Sequence, residues 1–129
     1  MIRRSVTKTF KFSAGHYLPN HSGKCRTQHG HNYRVDISVK GPVHGNDGST
    51  EEGMILDFGV LKVLWKDIYD KIDHQNLNDV NIPNLYIPTA ENLAGWIFDR
   101  VNEALPPDVN MNYVTIWETD DSSATVANA

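Results

Sequence analysis

The sequence has a single cysteine, Cys25, among 129 residues, so no intramolecular disulfide can staple it and a secreted disulfide scaffold is excluded. No apolar run approaches the roughly 20 residues that a membrane helix needs. Basic residues are outnumbered, 12 Lys and Arg against 16 Asp and Glu, and no cationic stripe gathers them, which argues against a nucleic-acid partner. Internal repeats, low-complexity tracts and dividing linkers are missing too. The opening MIRRSVTKTFKF is basic but lacks an apolar h-region, so it reads as no secretion signal and a cytoplasmic protein is expected. What remains predicts one domain over residues 1–129, with 40% hydrophobic residues to build its core.

Periodicity supplies the elements. Residues 5–12, SVTKTFKF, and 31–40, HNYRVDISVK, alternate as strands. In the second, Tyr33, Val35, Ile37 and Val39 share a face with His31, while Asn32, Arg34, Asp36, Ser38 and Lys40 take the other. The turn-rich GPVHGNDGSTEEG then leads to a short strand expected at Met54–Leu56. Asp57 is placed to N-cap a helix running to about Lys71, striped by Val60, Leu61, Leu64, Trp65, Ile68 and Ile72. A second helix opens at Thr89; Leu93, Trp96, Ile97, Val101 and Ala104 line its apolar face, and Pro106-Pro107 stops it. MNYVTIWE, 111–118, and SATVA, 123–127, read as the last strands. This order predicts an α+β domain, an antiparallel sheet with a helix pair on one face. MNYVTIW is apolar on both faces, and a second subunit would account for that.

The stretch CRTQHGH brings a thiol and two imidazoles together. In extended backbone His29 and His31 face the same way. If the first two strands pair antiparallel, His16 of KFSAGHY lies beside them. Three neutral imidazoles with an open fourth position are the donor set of a catalytic zinc site. The alternative is a surface turn with incidental histidines, and the convergence of three weighs against it. Cys25 has several readings: a fourth ligand that closes the site, a thiolate base or nucleophile favoured by Lys24 and Arg26, or a buried free cysteine. Asp73-His74 reads as a proton relay or as a helix-end capping pair. Glu118 shares the face of Val114 and Ile116, where a carboxylate sits at the rim or accepts two parallel N–H bonds from a guanidine-like edge. Glu91, in the first turn of the second helix, is expected from the helix dipole alone.

FSAGHYL, C-x-x-x-HGHNY, MILDF, DHQNL, PTAENLA and WET, in that order, resemble the 6-pyruvoyl-tetrahydropterin synthase family from about Phe10 to Ser123. The spacing from Cys25 to HGH looks like its queuosine-pathway branch, 6-carboxytetrahydropterin synthase. The resemblance implies a T-fold, a four-stranded antiparallel sheet with two helices on one face, closed by trimers into a barrel. Two stacked trimers would make a homohexamer with active sites between subunits. It further implies Zn2+ on His16, His29 and His31, Cys25 as general base, Asp73 and His74 as its relay, and Glu118 anchoring the amino-pyrimidine edge of a pterin. Thr89 and Glu91 match a segment lining the pterin pocket. The implied substrate is 7,8-dihydroneopterin triphosphate, with the pyruvoyl synthase reaction or a non-catalytic zinc or pterin-binding protein as alternatives. His21 and His44 match no functional position.

Overall fold

The first two strands extend beyond the residues 5–12 and 31–40 that their alternation predicts. In the computed structural model, which describes residues 2–129, β1 runs over Ser5–His16 and β2 over His29–Lys40. They pair antiparallel along their whole length, with Phe10 opposite Val35, Phe12 opposite Tyr33 and His16 opposite His29. The chain then forms α1 (Phe58–Ile72) and α2 (Ala90–Ala104) before β3 (Asn110–Thr119) and β4 (Ser122–Ala127). The strands lie in the order β1-β2-β3-β4, every neighbouring pair antiparallel. Helix α1 packs against β1, and α2 against β3 and β4.

Both helices begin where the sequence places caps. Asp57 Oδ1 accepts the Gly59 N–H at 2.7 Å, and Thr89 Oγ1 accepts the Asn92 N–H at 3.1 Å, each satisfying a donor that a helix start leaves orphaned. Leu61, Trp65, Ile68 and Ile72 of α1 are buried against the sheet. On the sheet side Phe10 stacks on Trp65 with centroids 5.0 Å apart, and Phe12 on Tyr33 at 4.7 Å. Each large side chain so buried contributes roughly 1.5–3 kcal/mol.

Two expectations change. Ala104 is exposed at the end of α2; Ala90, Ala94 and Phe98 join Leu93, Ile97 and Val101 in the core instead. Met54–Leu56 forms no strand. Both edges of β2 are already taken by β1 and β3, so the segment folds locally, with Gly53 N–H on His44 O at 3.0 Å and His44 N–H on Met54 O at 2.8 Å, and still buries Ile55 and Leu56.

The sheet face away from the helices carries a polar and aromatic ladder. Asp36 accepts from Thr9 Oγ1 at 2.7 Å and from Trp117 Nε1 at 3.1 Å, and the Arg34 guanidinium lies 4.5 Å over the Trp117 ring. Thr115 and Thr125 hydroxyls meet at 2.7 Å. On this face of β3 Thr115 is buried, while Tyr113 and Trp117 stay half-buried.

Two glycines give opposed tests of packing. A Cβ on Gly41 would sit 2.7 Å from the backbone oxygen of Asp108, whereas one on Gly95 in α2 meets nothing within 4 Å. Gly41→Ala is expected to lower stability by about 1–3 kcal/mol, and Gly95→Ala to raise it by roughly 0.5–1 kcal/mol through helix propensity. Denaturant midpoints of the two variants check both signs.

Candidate metal centre and active site

The β1–β2 register brings the last residue of one strand to the first of the next, so His16, His29 and His31 meet on the helix side of the sheet. Their rings lie steeply inclined to one another with centroids 4.5–5.0 Å apart, and one donor atom from each lies within 4.8 Å of the other two. His16 is fully buried and the others partly so. His16 Nδ1–H donates to the Pro88 carbonyl at 2.7 Å and His29 Nδ1–H to the Thr27 carbonyl at 2.7 Å. Each bond fixes the tautomer that leaves Nε2 as a bare lone pair. His16 Nε2 and His31 Nε2 are buried without a partner. An unpaired buried polar atom costs about 1–3 kcal/mol, and a zinc ion would satisfy both. Donor type, tautomers and spacing fit that metal.

A carboxylate stands beside the cluster. Glu118 Oε2 is 3.6 Å from His31 Nε2. Burial pushes the His31 pKa below its ordinary value; Glu118 opposes the shift, while His16 and His29 add to it. Burial, then the Glu118 charge, raises the Tyr33 phenol pKa. Glu118 also lines a concavity of about 400 Å³ with Glu91 and Ser123. The two acids, one on the helix and one on the strand, therefore border the same concavity.

Thr89 caps α2 with its side chain. Asp73 closes α1 and divides its oxygens: Oδ1 accepts the Ser13 N–H at 3.0 Å, and Oδ2 holds His74 Nδ1 at 2.6 Å. Desolvation is the largest influence on Asp73 and would raise its pKa, but the bonds from Ser13, His74 and Tyr69 together carry it below the usual carboxylate range. His74 has φ +58 and an exposed ring. Asp73 thus ends α1 and bonds the His74 ring with the same carboxylate.

Cys25 sits half-buried on a 3-10 turn, Lys24–Arg26, its carbonyl accepting the Leu18 N–H at 2.7 Å. It is outside the histidine cluster, so within this chain it does not close the site as a fourth ligand. No hydrogen bond joins it to Asp73 or His74 among the described residues.

Sequence reasoning missed the strap that holds His16. Residues 74–78 run along the outer edge of β1: His74 N–H donates to Ser13 O, Gly15 N–H to Gln75 O at 2.9 Å, and Leu77 N–H to Gly15 O at 2.8 Å. Asn78 ends it by exchanging two bonds with the Tyr17 backbone, both 2.9 Å. The only sequence signal was the density of Asn and Asp in DHQNLND, residue types that bond to backbone.

These features define a T-fold domain with a three-histidine cluster able to hold a metal. A family model described as 6-pyruvoyl tetrahydropterin synthase matches residues 5–129, and the chain belongs to that family. A Synechocystis sp. protein named 6-carboxy-5,6,7,8-tetrahydropterin synthase is 41% identical over 120 residues, 92% of this chain and 89% of its own. A Pyrococcus furiosus dihydroneopterin monophosphate aldolase is 31% identical over 93 residues, 72% of each chain. The solved structure of Caenorhabditis elegans 6-pyruvoyl tetrahydropterin synthase aligns with a TM-score of 0.82 at 26% identity, covering 100% of this chain and 98% of that one.

Two measurements test this geometry. Asn78→Ala removes both bonds to Tyr17, and metal affinity is expected to fall roughly ten-fold or more as His16 loosens; a zinc titration reads it. The metal-free protein is expected to lose stability as pH falls below 6.5, the ordinary histidine value. There the unfolded chain binds a proton on residue 31 that the folded chain still refuses, so stability rises with pH across the window. Denaturant midpoints at about pH 5.5 and about pH 7.5 give the sign, and the slope should flatten in His31→Gln.

Proposed function

We propose that this protein is a zinc-dependent 6-carboxy-5,6,7,8-tetrahydropterin synthase of the cytoplasm. It would convert 7,8-dihydroneopterin triphosphate and water to 6-carboxytetrahydropterin, acetaldehyde and triphosphate, a lyase step towards queuosine and related 7-deazapurines. The observation that carries the reading is the three-histidine cluster with Glu118 3.6 Å from His31, in a chain 41% identical to a protein of that name. The Cys25–His29 spacing supports the same branch.

His16, His29 and His31 would hold zinc, which supplies a Lewis acid that polarises the substrate's side-chain oxygens and acidifies the adjacent C–H. Cys25 would move protons at that carbon. Asp73 holds His74 in one orientation, so that the imidazole can pass protons to and from the thiol. Glu118 would accept two N–H bonds from the pterin's amino-pyrimidine edge and so direct the side chain, not the ring, at the histidines. Thr89 and Glu91 would border the ring, and Lys24 and Arg26 are the local cations for the triphosphate.

Among the described residues the His74 ring bonds Asp73 and not Cys25, which supports sites completed between subunits. So do the outer edges of β1 over residues 5–12 and of β4, which pair with no further strand among the described residues. Edges of this kind are templates for a neighbouring chain. A homohexamer, a dimer of trimers with barrel-closed sheets, would cover them.

Incubating the zinc-loaded protein with 7,8-dihydroneopterin triphosphate and identifying the products by mass tests the proposal. Carboxytetrahydropterin with acetaldehyde is expected, and Cys25→Ala should slow its formation about 10²–10⁴-fold with zinc content unchanged. A pyruvoyl product would move the branch and keep the site. Binding without conversion would leave a pterin-binding protein.

A further inference from the structure

Among the described residues, the buried side-chain polar atoms without a hydrogen-bond partner are His16 Nε2, His31 Nε2 and the hydroxyl of Tyr33. They are not scattered. The Tyr33 ring lies 5.4 Å from His31 and 6.3 Å from His16, edge-on to both. A metal would account for the two imidazole nitrogens. It leaves the phenol unexplained.

Tyr33 is 1% exposed, and a tyrosine this deep ordinarily finds a partner for its O–H. Packing does not call for the oxygen. The ring stacks on Phe12 at 4.7 Å, and phenylalanine would fill the same space without burying an unpaired donor. Glu118 is on the neighbouring strand beside it: Arg34 pairs with Trp117, and Glu118 follows Trp117 as Tyr33 precedes Arg34. Its carboxylate is also 3.6 Å from His31 Nε2. Phenol and carboxylate therefore both stand next to the His31 imidazole, at the cluster where the reading above puts the reacting end of the substrate.

We propose that the Tyr33 hydroxyl donates a hydrogen bond to a side-chain oxygen of the pterin substrate lying against the histidine cluster, an inference that rests on the pterin synthase assignment. When the C–H beside that oxygen is broken, negative charge grows on the oxygen. A donor already oriented in a dry site strengthens its bond at that moment. The contact therefore weighs on kcat more than on KM. Removing it leaves the metal-free protein intact, because in that state the O–H has nothing to lose.

The test compares the wild-type protein with Tyr33→Phe in three ways. Melting of the metal-free proteins is expected to show no loss, or a gain, in the variant. Zinc content should be equal. With 7,8-dihydroneopterin triphosphate, kcat should fall about ten- to a hundred-fold with KM changed less, and neopterin, which carries the hydroxylated side chain without phosphate, should bind more weakly in a fluorescence titration. Unchanged kcat and unchanged neopterin affinity would overturn the proposal, as would a clearly lowered melting temperature, which would show that the hydroxyl is already bonded in the resting fold. A wild-type protein that binds neopterin through Tyr33 but turns nothing over would refute the synthase reading and uphold this contact. Binding and turnover both absent would refute the two together.

Discussion

The pairing register of β1 with β2 is the constraint on which the site depends. Side chains in a strand alternate between faces, so a one-residue slip would carry a whole set across the sheet. Here His16 faces His29 and Ala14 faces His31, and all three imidazoles point towards the helices. The register is enforced further along the hairpin, where Phe10 and Phe12 oppose Val35 and Tyr33 in the core. Burying those apolar faces is worth far more than any metal-free arrangement of histidines, which carries unpaired nitrogens at a cost of about 1–3 kcal/mol each. Core packing thus holds ligands in a geometry that they would not adopt unaided.

The rest of the chain secures that hairpin end from two sides. From one, residues 74–78 add backbone bonds along the edge of β1 around His16. From the other, the carbonyl of Pro88, just before the cap of α2, fixes the His16 ring. The C-terminal end of α1 and the start of α2 therefore both reach the same histidine. Asp73 ties them to His74, because one of its oxygens holds the β1 backbone and the other holds the His74 ring. His16 and His74 are thus positioned by one loop.

Much of this was legible in the residues. HGH in an alternating strand placed two imidazoles on one face, and a hairpin placed the third. Asp57 and Thr89 marked the helix starts, because a short side-chain oxygen before an apolar stripe has an orphaned N–H to satisfy. Other expectations failed for a common reason. Met54–Leu56 has strand-like residues, but no free edge of β2 was left to receive it. Ala104 continues a helical stripe past the last turn that touches the sheet. The strap at 74–78 carries no periodicity at all, since its bonds are made by backbone and by amide side chains to a strand some 60 residues earlier in the chain.

The sequence by itself determined the chemistry available: three imidazoles, one thiol, an Asp-His pair and a carboxylate at the end of a buried strand, with His29, His31 and Glu118 on predictable faces. Periodicity and capping are local properties, so local order suffices to read them. Only the tertiary structure decided proximity. It put Glu118 beside His31, set Glu91 and Glu118 on one concavity, left Cys25 outside the histidine cluster, and left the Tyr33 hydroxyl without a partner next to the histidines. Those relations depend on how distant segments pack and on which polar atoms packing leaves unpaired, and neither quantity is contained in the spacing of residues along the chain.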